Sequence, residues 1–136
     1  GDAVALIMPV LNTAAQRYRV DLDGVRYLVR LVWHPRVEAW VFDLGLPGAT
    51  NDDSLWIARG VTLRRSFFVL VNHRDLRKPR GAFVVLGGRQ VDPISFDSLV
   101  EGRDRLYYYS RAELVYNAET QTGLGPDPDT FGVTFS

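Results

Sequence analysis

Few side chains in this sequence have the types and spacing that chemistry requires. The two histidines, His34 beside Pro35 and His73 in a basic stretch, are not spaced for joint metal binding, and only Asp75 supplies a carboxylate near either. Both are read as solvated turn residues. Asp52-Asp53-Ser54 lacks the regular acidic spacing and closing glutamate of a calcium loop, and Asp127 and Asp129, flanking Pro128, make a rigid acidic turn. Glu101 and Asp104 are a carboxylate pair of the kind that glycosidase chemistry uses, but nothing around them sets them apart from surface charge. Gly87-Gly88 and Gly123-Leu124-Gly125 lack the further glycine or Gly-Lys-Ser/Thr of a phosphate cradle, and there is no Gly-x-Ser-x-Gly elbow. The absence of cysteine excludes disulfides, thiolate zinc sites, iron–sulfur clusters and cysteine nucleophiles. The expectation is a protein that is not an enzyme, with no catalytic residue, cofactor or metal.

Two other patterns suggest binding. Arg74, Arg77, Lys78 and Arg80 form a compact basic loop near Phe67, Phe68 and Phe83 in sequence. A single-strand nucleic-acid binder interleaves exposed aromatics with such charge, but these phenylalanines lie in strand-like apolar runs and are assigned to the core. Trp33, Trp40 and Trp56 make up the second pattern. As a stacking platform they would serve the alternative reading, a monomeric β-barrel module binding a small ligand or carbohydrate, although tryptophans more often build core.

The 136 residues are one domain's worth, and the 16 basic and 16 acidic residues cancel. That balance argues against a nucleic-acid coat or a membrane-surface protein, and no apolar run approaches the ~18 residues of a membrane span. The expected protein is soluble, with no specific nucleic-acid partner. The apolar Ala3–Met8 stretch has no basic segment before it and no small-residue cleavage site after it, so it is read as a strand. Fifteen of the 16 basic residues are arginine, a fork suited to packed and bidentate contacts, though a GC-rich genome gives the same bias. Residues 51–90 carry eight basic against three acidic side chains, and residues 91–136 carry three against eight. These regions can pair within one fold or between neighbouring subunits.

The elements that must position these residues are strands. Tyr18, Val20 and Leu22 alternate with charged residues, and Asp23-Gly24 is a strong signal for a two-residue type I′ hairpin. A second strand, Val25 to Trp33, has Leu28 and Val32 on its otherwise polar side, which predicts cover on both faces. His34-Pro35-Arg36 ends it, and a third strand runs from Val37 to Leu44. Gly45 to Ser54 is a loop, Leu55 to Leu63 a strand kinked at Gly60 or a strand pair, and Phe67 to Val71 a short buried strand. Asn72 to Gly81 is a loop, Ala82 to Leu86 a buried strand and Gly87-Gly88 a turn. Ser95 to Leu99 suits one helical turn at most, and Leu106 to Tyr116 reads as a long last strand. The fold class is all-β, a single antiparallel β-sandwich or small barrel over residues 1–117.

Residues 118–136 are read as an extended C-terminal arm. Its proline- and glycine-containing stretch leads into Thr130–Ser136, where Phe131, Val133 and Phe135 alternate with small residues, a pattern suited to adding a strand to a sheet edge. That edge can be the chain's own or a neighbour's, and the expectation is that the segment docks on a neighbouring chain. Candidate interface residues are therefore Arg74, Arg77, Lys78, Arg80, Phe131, Val133 and Phe135.

The order of Tyr18–Gly24, Tyr27–Trp33, His34-Pro35-Arg36 and Trp40-Val41-Phe42-Asp43-Leu44 resembles the small baseplate plug proteins of contractile-tailed phages. In these, a hairpin, an Arg-rich strand and a W-x-x-D-L strand open the domain. Pro79-Arg80-Gly81 before Ala82–Leu86, Asp92-Pro93, Phe96–Leu99 and the Leu/Tyr strand from Leu106 extend the resemblance over about residues 5 to 117. Leu99-Val100 and Glu101-Gly102 depart from it where a Leu-Gly pair is usual, and the tail after Asn117 does not align. The resemblance implies a non-enzymatic virion protein of the tail baseplate, made in the host cytoplasm. Its implied partners are other baseplate proteins of the hub, tail-tube end and spike region, together with copies of itself.

Overall fold

A computed structural model describes residues 5–49, 53–87, 93–112 and 114. Its strands are β1 (Leu6–Ile7), β2 (Ala15–Leu22), β3 (Val25–His34), β4 (Ala39–Gly45), β5 (Trp56–Thr62), β6 (Ala82–Gly87) and β7 (Asp104–Tyr109). One short helix, α1 (Phe96–Val100), precedes β7. Ser95 begins α1 through a reciprocal capping box with Ser98, which satisfies amide groups that so short a helix leaves unbonded.

Two antiparallel sheets form, β2-β3-β4-β5 and β1-β7-β6, and they do not close into a barrel. The β2–β3 hairpin turns at Asp23 and Gly24, with φ of 49° and 81°, the positive pair that a type I′ turn needs. Because facing residues in an antiparallel pair share a face, Tyr18-Val29-Leu44 and Val20-Tyr27 line the inner side of the larger sheet. The core sits between this side and Phe83, Val85, Leu106 and Tyr108 of the smaller sheet. On the outer side Leu28 packs with Ala49 and Trp56 in a second, smaller cluster, so β3 is covered on both faces there.

Three sequence expectations need correction. The third strand begins at Ala39 rather than Val37, because Glu38 takes a positive φ of 51° in the turn that follows His34. Phe67 to Val71 is not a buried strand: only Arg65 and Phe68 form isolated bridges, to Val85 and Val84 on β6. Val69 and Leu70 turn inward, while Phe67, Phe68 and Val71 stay 63%, 45% and 65% exposed. The last strand ends at Tyr109, and the backbone is helical at Arg111, Ala112 and Leu114. Asp23 in the hairpin accepts from the Arg111 amide at 3.2 Å, a tertiary contact that ends the extended pattern.

Candidate interface surfaces

Two ion pairs and one tyrosine network fix the frame on which any interface must stand. Arg65 grips Asp104 through two parallel hydrogen bonds, at 2.7 and 2.8 Å, with the Asp104 side chain completely buried. Burial alone would raise the Asp104 carboxyl. The hydrogen bonds from Arg65 and Ser98, with the charges of Arg65 and Arg103, outweigh it and hold the carboxyl below the ordinary carboxylate range. Glu101 instead pairs with Arg103 in solvent, so the two carboxylates considered for acid–base work are engaged separately. Arg30 pairs with Asp43 at 2.8 Å, and Asp43 also accepts from the Gly60 amide. The Tyr108 hydroxyl donates to Asp23 and accepts from the Gly81 amide at 2.8 Å, joining the hairpin turn of one sheet to the strand entry of the other. Burial, reinforced by the bond to Asp23, pushes this phenol up.

The loop from Ser66 to Gly81 is held at several points. Tyr27 donates to the Arg77 carbonyl at 2.9 Å, and the Arg77 guanidinium donates to the carbonyls of Ser54 (2.7 Å) and Trp56 (3.3 Å). The same guanidinium bonds Asp75, and these bonds with that from the Arg77 amide bring the Asp75 carboxyl down to about 2. Lys78 donates to the His73 carbonyl at 2.8 Å. Of the four basic residues singled out, Arg77 and Lys78 are thus engaged within the domain. Arg74 and Arg80 are exposed, with no hydrogen bond or ion pair among the described residues. The same loop carries Phe67, Phe68, Val71 and Leu76, the last 99% exposed. Exposed apolar side chains on an anchored loop with an arginine rim have the composition of a protein–protein contact.

Sequence reasoning assigned Phe67 and Phe68 to the core and missed this surface. A five-residue apolar run without alternation does not say which members turn outward, and the positive φ of 68° at Ser66 left no sequence signal. Phe83 is core, as expected, at 1% exposure. Phe131, Val133 and Phe135 lie outside the described residues.

The tryptophans do not form one platform. Trp33 and Trp40 pack edge to face at 5.7 Å, with Phe96 against both, while Trp56 lies in the outer cluster under the guanidinium of Arg30 at 4.6 Å. Trp40 and Trp56 are 1% and 6% exposed, so neither offers a face to a sugar ring.

A scan against protein families matches residues 5–113 to the cyanophage baseplate Pam3 plug gp18 family. The chain belongs to that family. The match spans both sheets, the anchored loop and the helical turn that starts at Arg111. A search of curated proteins finds no match. As a baseplate plug family member, the protein is a structural component of the phage tail baseplate and has other baseplate components as its partners.

Proposed function

We propose that this protein plugs or braces the baseplate hub near the start of the tail tube, by protein–protein contacts and without catalysis. The match to the plug family over residues 5–113 carries this reading. It is made in the host cytoplasm and enters the virion by docking on the hub, the tail-tube end and further copies of itself. Residues 1–117 act as the β domain and 118–136 as an arm that reaches a neighbour. The loop bearing Arg74 and Arg80 meets an acidic surface, one source of which is the residue 91–136 region of another copy, where seven acidic side chains besides the buried Asp104 stand against three basic ones.

Charge reversal separates assembly from folding. Arg74→Glu with Arg80→Glu should cut incorporation into tail tips while shifting Tm by no more than about 2 °C, since exposed substitutions usually stay within ~0.5 kcal/mol. Arg77→Glu should lower Tm clearly, because it strips donors from the Ser54 and Trp56 carbonyls. Normal incorporation of the double variant, measured by quantifying the protein in purified virions, contradicts a role for this loop.

A further inference from the structure

The larger sheet leaves one long edge unpaired among the described residues. Just before β2, the Ala14 carbonyl accepts from the Trp33 amide of β3, so Ala14 faces Trp33 as a hydrogen-bonded pair. Bonded pairs alternate in an antiparallel ladder. The register then makes Gln16–Leu31, Tyr18–Val29, Val20–Tyr27 and Leu22–Val25 the bonded pairs. The amide and carbonyl groups of Ala15, Arg17, Arg19 and Asp21 therefore point away from β3, and no backbone hydrogen bond reaches them among the described residues. On the inner side of this edge Tyr18 and Val20 are only half-buried, and the Tyr18 hydroxyl, itself enclosed, has no hydrogen-bond partner among the described residues. On the outer side Arg17 and Arg19 are exposed, without an ion pair among the described residues. Edge arginines discourage indiscriminate pairing, yet they favour a strand that brings acidic residues with it.

We propose that the β2 edge receives the segment 130–135 of a second copy of this chain. Phe131, Val133 and Phe135 would extend the inner face beside Tyr18 and Val20. Gly132 and Thr134 would lie beside the long Arg17 and Arg19 side chains without crowding them, and Asp127 and Asp129, in the turn that leads into the strand, supply complementary charge. The connection is longer than the chain's own edge requires, which lets the segment reach a second copy. Asp23, which bonds the Arg111 amide, stands at the end of β2, so a return onto the same edge needs only a hairpin-sized connection. Fifteen residues lie between Leu114 and Thr130, including Pro126 and Pro128, a reach of about 50 Å at ~3.3 Å per residue. The inference rests on the reading that copies contact one another in the baseplate and adds which edge and which segment meet.

Hydrogen exchange of the full chain, followed amide by amide, tests it. The amides of Arg17, Arg19 and Asp21 should slow by at least about tenfold as protein concentration is raised. Val133→Asp, or truncation after Gly123, should restore fast exchange while the amides of Tyr18 and Val20 stay protected. Arg17→Glu with Arg19→Glu should move the onset to higher concentration. Fast exchange at every concentration overturns the pairing, and protection independent of concentration assigns the edge to the chain's own arm and overturns the second-copy assignment. A Val133→Asp chain that still enters tail tips counts against the pairing alone. The baseplate reading fails only if the unaltered chain is missing from tail tips.

Discussion

Asp104→Ala should remove about 3–5 kcal/mol of folding stability, because it leaves the Arg65 guanidinium buried without its carboxylate. Domains of this size hold ~5–15 kcal/mol in all, so Tm should fall by roughly 10–20 °C. The Arg65 side chain is itself only 10% exposed. Replacing both partners, Arg65→Met with Asp104→Leu, should recover most of the loss, since two apolar groups need no counter-charge. The pair also sets an acid limit. The folded carboxyl lies below its unfolded value of about 3.9, so its contribution is complete above that pH and is lost as pH falls through the folded value. Urea unfolding as a function of pH should show a shallower acid-side slope in Asp104→Ala than in the parent, the remainder coming from other lowered carboxyls such as Asp75. An alanine variant as stable as the parent at neutral pH contradicts the account.

Gly81→Ala should be similarly severe, and for a steric reason. A Cβ at this position would stand 2.0 Å from the Tyr109 carbonyl oxygen and 2.6 Å from Cζ of Tyr108. Neither neighbour can yield cheaply: Tyr109 pairs with Ala82 in the β6–β7 ladder, and the Tyr108 hydroxyl is tied to both Asp23 and the Gly81 amide. The expected loss is about 3 kcal/mol or more, at the upper end of overpacking effects. Gly60 provides the comparison. Its φ of 69° disfavours a side chain, but a Cβ there meets nothing within 4 Å, so Gly60→Ala should cost only about 1–2 kcal/mol. Denaturant titration of the two variants checks the ranking, and equal losses would mean that the neighbours of Gly81 give way to a Cβ and would contradict the steric account.

The hairpin of β2 and β3 was legible because two independent signals coincide there, strict alternation at Tyr18, Val20 and Leu22 and a dipeptide whose φ values must be positive. The two-faced cover of β3 was legible from Leu28 breaking the polar side. What escaped depends on partners distant in sequence. Asp104 looked like surface charge because its partner, Arg65, is 39 residues away. The alternation running from Leu106 past Tyr109 gives way at Arg111, where the amide bonds Asp23, 88 residues earlier. Arg77 reads as a free basic residue until the fold brings the Ser54 and Trp56 carbonyls beneath it. The candidate interface surface was half legible: the basic residues of the loop were singled out, but the exposure of Phe67, Phe68 and Leu76 on the same loop was not.

A cryo-EM map of the intact tail tip tests the central claim most directly. The account predicts density at the hub, near the start of the tail tube, that fits a four-stranded and a three-stranded antiparallel sheet with the Ser66–Gly81 loop against a neighbouring subunit. A tail tip whose hub and tube entrance are fully accounted for by other chains, with no density for this fold, would contradict it.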